Sequence, residues 1–145
     1  MNPGRIIGLD IGGERIGVAI SDEMGILASP VGMIRRGGPV DEELISYIRL
    51  YQPIKLVAGL PLGLSGREGP QAKEVREFTD ALAERVGITL EYWDERLTTS
   101  IAERSLIGSG VRRKERRDKV DALAASVILQ GYLDHAKWQR SSPNR

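Results

Sequence analysis

The chain has 145 residues, of which 41% are hydrophobic and 28% charged, and its formal net charge is +1 at pH 7. That length suits one domain, and the balance is that of a globular protein with a core rather than a disordered, collagenous or membrane chain. Cysteine is absent and His135 is the single histidine, which excludes disulfides and thiolate chemistry, argues against a Ser-His-Asp triad, and leaves carboxylates to carry any catalysis.

Arg5 to Ile11 reads as a strand, Gly12-Gly13-Glu14 as turn chemistry, and Arg15 to Ile20 as a second strand, which together make a hairpin. After a turn at Glu23 to Gly25, Ile26 to Ile34 suits a third strand, with Pro30 confining it to an edge. Asp41 is expected to cap a helix running to Tyr51, with Leu44, Tyr47, Ile48 and Tyr51 as its apolar stripe and Gln52-Pro53 as its stop. Lys55 to Leu60 is an apolar run without alternation, as expected of a strand covered on both faces.

Pro61 to Gly69 is a Gly-rich loop leading into a helix that begins near Pro70 and stops at Gly87. Its stripe is Ala72, Val75, Phe78, Leu82 and Val86. Ile88 to Trp93 gives a further strand, and Asp94 to Leu97 leads into a helix near Thr99 to Ile107. Gly108 to Lys119 reads as a loop with a basic run, and a last helix is expected from Asp118 or Lys119 to about His135. The order β β β α β α β α α predicts an α/β domain with a mixed five-stranded sheet, three antiparallel strands followed by two parallel ones, flanked by helices. A single domain over 1–138 and a loose tail over 139–145 are expected. No stretch approaches the roughly 20 apolar residues of a membrane span, and the N-terminal segment lacks a signal-peptide pattern, so a cytoplasmic protein is expected.

Three acids stand out. Asp10 lies inside the apolar run IIGLDIG, where a charge is costly unless paired or metal-bound, although it could also cap the Gly12-Gly13 turn. Asp94-Glu95 follows a strand, at the kind of strand end where open α/β sheets bind ligands, although capping of the next helix is an alternative. Asp121 sits among Val120, Ala122, Leu123, Ala124 and Ala125 on a face small enough to pack closely, with Asp118 one turn earlier and suited to be an N-cap. If acids from two strand ends and a helix converge, their repulsion calls for a counter-cation, and Mg²⁺ or Mn²⁺ takes oxygen ligands without needing His or Cys. Two such ions about 4 Å apart can activate a water and stabilise the leaving oxygen of a phosphodiester.

Charge is unevenly spread: Arg112 to Lys119, RRKERRDK, holds six basic and two acidic residues. Such a run can neutralise phosphates as a positive clamp, and a solvated charge run is the plainer alternative. Aromatic residues are only 5%, too few for a broad base-stacking platform, so recognition is expected to rest on backbone and shape.

The segments GLDIGGERIGVAISD (8–22), AGLPLGLSGREGPQA (58–72), DERLTT (94–99) and KVDALAASVILQGYL (119–133) resemble, in order and spacing, the YqgF family of pre-16S rRNA nucleases and Holliday junction resolvases. The resemblance implies an RNase H-like domain that hydrolyses phosphodiester bonds with a divalent metal, in the bacterial cytoplasm, and matures the 5′ end of precursor 16S rRNA. It places the family's acids on Asp10, Glu95 and Asp121, as metal ligands and catalytic residues holding Mg²⁺ or Mn²⁺, expected as two ions. Arg15 or Arg96 is then expected to contact the substrate backbone, with Arg112, Arg113, Arg116 and Arg117 as the clamp. The implied partner is nucleic acid, either precursor rRNA or branched DNA, with the protein a monomer or weak homodimer. Two rivals remain: a non-cleaving nucleic-acid-binding factor, and an ATPase of the actin and sugar-kinase type, whose first phosphate-binding hairpin DIGGERIGVAISD is similar to. The second needs two lobes, whereas this length supplies one, and no GxxxxGK[ST] motif is present.

Overall fold

The computed structural model describes residues 4–63, 66–95 and 113–141, with the backbone alone at 113–119 and 138–141. Five strands, β1 (Ile6–Ile11), β2 (Arg15–Ser21), β3 (Ala28–Arg35), β4 (Lys55–Leu60) and β5 (Leu90–Asp94), form one sheet in the order β3-β2-β1-β4-β5. The first three pair antiparallel, while β4 joins β1 and β5 joins β4 in parallel, as expected from the order of elements. Pro30 lies in β3, an edge strand, beside the register shift between Val18 and Ala19 of β2.

Alternation along the strands divides the core in two. Ile7, Leu9 and Ile11 of β1, Ile16, Val18 and Ile20 of β2, and Leu56, Ala58 and Leu60 of β4 point to one face. They pack there with α1 (Val40–Tyr51) through Val40 and Leu44 and with α2 (Pro70–Val86) through Ala72, Val75 and Leu82. Fully burying each large aliphatic side chain contributes about 1.5–3 kcal/mol, which makes this face the larger source of stability. On the other face Ile6, Ala19 and Val57 meet Ala125, Leu129 and Leu133 of α3 (Arg113–Ser141). Among the described residues no helix is long and apolar enough to cross a membrane.

Three local expectations are corrected. Asp41 does not cap α1: the N-cap is Pro39 without a side-chain bond, and the Asp41 carboxylate instead accepts two hydrogen bonds from Arg85 of α2, at 2.7 and 3.0 Å. The helix α3 begins at Arg113, so residues 113–119 are helical rather than part of a loop, and Asp118 lies within the helix instead of capping it. Arg, Lys and Glu are strong helix formers, which outweighs the looser reading of the charge run. At its other end α3 continues to Ser141, beyond the expected limit near His135 and into the expected tail. The helix expected near 99–107 lies outside the described residues. The limits of α2 agree with its sequence signals: Pro70 opens the first turn and Gly87, with φ +73°, closes the last one.

Candidate active site

Asp10 is the fifth residue of β1 and pairs with Gly17 of β2. Since Leu9 and Ile11 are committed to the face under α1 and α2, alternation turns Asp10 to the face under α3, together with Ile6 and Gly8. A track of glycines lets that helix descend onto the sheet. A Cβ on Gly17 would lie 1.8 Å from the Asp121 carbonyl oxygen, and one on Gly8 would lie 2.7 Å from Leu129 Cβ. The backbone of α3 at Asp121 therefore rests on the residue paired with Asp10.

Glu95 reaches the same place from the other side. It follows β5, whose Asp94 pairs with Leu60 at the end of β4. The Glu95 side chain folds back over β4: a Cβ on Gly59 would lie 2.8 Å from Glu95 Cγ and 2.9 Å from its Cδ. The missing side chain at Gly59 makes the room that this carboxylate occupies.

Electrostatics ties the three acids together. Burial, and then the charge of Asp121, push the Asp10 carboxyl up to about 6. Glu95 is pushed up to about 7 by burial, then by Asp10 and by Asp94. The charge of Asp121 thus acts on Asp10, and that of Asp10 on Glu95. Arg15 Nε donates a 2.6 Å hydrogen bond to Asp121 Oδ2, supplying part of the missing positive charge, and Arg15 also lies 3.8 Å from Glu14. The alternative in which Asp10 caps the Gly12-Gly13 turn is not what the hairpin uses, because the Gly12 N–H donates to the Arg15 carbonyl at 2.8 Å.

Asp10, Glu95, Asp121 and Arg15, four residues singled out in the sequence, are therefore neighbours. Their approach is pairwise: among the described residues, no three His, Cys, Asp or Glu side chains already surround one common cation position. The donor set still suits a hard divalent ion, being carboxylate oxygens whose burial and repulsion are relieved by positive charge. Arg96 and Arg112 lie outside the described residues, as do the side chains of Arg113, Arg116 and Arg117, whose backbone forms the first turns of α3. Sequence reading passed over Arg36. It donates to the Gly12 carbonyl at 2.8 Å, binds Glu74 of α2 in a bidentate pair and lies 3.9 Å over the Phe78 ring, so it fixes the turn that follows Asp10. The Arg-Arg-Gly-Gly run at 35–38 was the available signal.

A family model described as "RuvX: Holliday junction resolvase" matches residues 4–135. A protein of Clostridioides difficile (strain 630) is 48% identical over 136 residues, covering 92% of this chain and 96% of its own length, and carries the name "Putative pre-16S rRNA nuclease". A protein of Agathobacter rectalis with the same name is 43% identical over 145 residues, covering 94% and 99%. Among solved structures, "T. thermophilus RuvC in complex with Holliday junction substrate" superposes with a TM-score of 0.55 over 92% of this chain and 96% of that one. At 12% identity this likeness is one of fold, the RNase H-like fold that the sequence resemblance implied. With its family model spanning nearly all of the sequence and two relatives above 40% identity at almost full length, the chain belongs to the RuvX family, the YqgF family of the sequence resemblance.

Proposed function

We propose that this protein is a nuclease that hydrolyses phosphodiester bonds with Mg²⁺ or Mn²⁺ held by Asp10, Glu95 and Asp121, and that it trims the 5′ end of precursor 16S rRNA in the cytoplasm during ribosome biogenesis. The observation that carries the reading is the position of Asp10, half-buried on the α3 face and electrostatically coupled to Asp121 and Glu95, from elements remote in sequence. The name shared by the curated relatives supports the choice of RNA substrate.

Each residue has a separable task. Asp10 on β1, Glu95 after β5 and Asp121 on α3 would hold the ions through their carboxylate oxygens. When bound, the ions supply Lewis-acid polarisation of the phosphate and of an attacking water. Arg15 orients Asp121 through Nε and brings positive charge to the edge of the carboxylate site, where a phosphate would approach. The Gly12-Gly13 turn, held by Arg36, keeps bulk away from the approach beside Asp10.

The test is incubation of 5′-labelled precursor 16S rRNA with wild-type and Asp10→Asn protein, in Mn²⁺, in Mg²⁺ and in EDTA. Cleavage by the wild type with either ion, lost in EDTA and in the variant, is expected. Intact RNA in every lane would sink the reading and favour a binding factor. The family description supports a second substrate, branched DNA, and four-way junctions in the same assay decide between them.

A further inference from the structure

Arg35 closes β3 and pairs with Arg15 of β2, two residues beyond the row in which Met33, Gly17 and Asp10 lie side by side. Residues directly opposed in antiparallel strands share a face. Both arginines therefore belong to the face that carries Asp10. Their fates differ. Arg15 is drawn to Asp121, whereas Arg35 is exposed and, among the described residues, pairs with no acid.

Arg36 points to the opposite face, where Glu74, Phe78 and the Gly12 carbonyl fix it. It pins the segment that carries Arg35. A groove of about 500 Å³ lies between the β1–β2 turn and this segment, lined by Gly13, Glu14, Arg35, Arg36, Gly37 and Gly38. A Cβ on Gly13 or Gly37 would meet nothing within 4 Å, so both rims are low and a polymer can pass over them. The acid in the groove, Glu14, leans toward Arg15.

We propose that Arg35 grips a backbone phosphate of the substrate in this groove, on the flank of the carboxylate site. Adjacent strands lie about 4.8 Å apart and each residue rises about 3.3 Å, so the backbone of Arg35, two strands across and two residues along, stands roughly 12 Å from that of Asp10. That separation places the gripped phosphate a few nucleotides from the scissile one along the substrate strand. The planar guanidinium fork suits two oxygens of one phosphate. Arg35 is a positioning residue in this scheme: it registers the strand on the site and takes no part in bond cleavage. The position relative to a scissile bond rests on the nuclease reading above; the phosphate contact itself does not.

The experiment measures binding of a labelled precursor 16S rRNA fragment to Asp10→Asn protein over a series of KCl concentrations, alone and combined with Arg35→Gln, Arg35→Lys or Arg49→Ala. Arg49 is an exposed arginine in the last turn of α1 and controls for net charge. Arg35→Gln is expected to lower the slope of log K against log salt by about one and to weaken binding roughly tenfold. Arg35→Lys should keep the slope, and Arg49→Ala should leave both quantities unchanged. On the active background Arg35→Gln should raise KM with kcat within about twofold. An unchanged slope in Arg35→Gln, beside a wild type that cleaves, overturns the phosphate contact and leaves the nuclease reading standing. A lowered slope in a protein that never cleaves supports the contact and overturns the nuclease reading. A protein that binds no RNA overturns both.

Discussion

Gly17 and Asp121 are in backbone contact: a single methyl group on Gly17 would fall 1.8 Å from the Asp121 carbonyl oxygen. Gly17 is also the cross-strand partner of Asp10, so one bare position brings a helix carboxylate beside a strand carboxylate. Gly17→Ala is therefore expected to lift α3 from β2. Overpacking against backbone costs at least about 1–3 kcal/mol, which would lower the Tm by several degrees and abolish cleavage. Gly13→Ala, which adds a methyl group to open space, should leave the Tm unchanged in the same thermal scan.

Gly59 separates the site from the stability of the fold. A methyl group there would press on Glu95 Cγ and Cδ and on Ile128 Cδ1, side-chain atoms that can give way. Gly59→Ala should lower kcat at least tenfold through a displaced Glu95, with a smaller loss of Tm than Gly17→Ala. Parallel activity and melting measurements distinguish the two effects.

Without a divalent ion the acids burden the fold in a pH-dependent manner. Asp10 at about 6 and Glu95 at about 7 hold protons more tightly than in the unfolded chain, where their ordinary values are 3.8 and 4.5. The folded state then binds more protons than the unfolded one, so stability falls as pH rises through this range. Urea unfolding in EDTA should give a lower midpoint at pH 8 than at pH 5. Asp10→Asn should reduce that difference, and Mn²⁺ should restore the wild type at pH 8.

Arg15→Gln removes the charge that Asp121 now faces across 2.6 Å. Loss of a hydrogen bond between charged, partly buried groups costs about 1–3 kcal/mol. The loss should be largest in EDTA and smaller in Mn²⁺, since the ion offers Asp121 a second source of positive charge. Equal destabilisation under both conditions would separate Arg15 from the metal ligands.

Features fixed by neighbouring residues were legible in the sequence. The span of α2 follows from Pro70 and Gly87, β4 from its uninterrupted apolar run, and the oddity of Asp10 from the hydrophobic residues on either side. Features fixed by distant partners were not. Asp41 looked like a cap because Arg85, its partner, is 44 residues away. Local pattern left Asp94 and Glu95 equivalent and only the family resemblance chose Glu95, which the pairing of β5 with β4 leaves over Gly59. Arg35 acquires meaning only from its register with Arg15, a relation that alternation within one strand does not reveal.

The proposed cation site is tested most directly by titrating Mn²⁺ into the wild type, Asp10→Asn, Glu95→Gln and Asp121→Asn and following binding by calorimetry. Each neutralised acid should weaken Mn²⁺ binding at least tenfold, with Asp10→Asn the most severe because Asp10 is electrostatically coupled to Asp121 and to Glu95. Four identical isotherms, from proteins that remain folded, would contradict a common ion held by residues 10, 95 and 121.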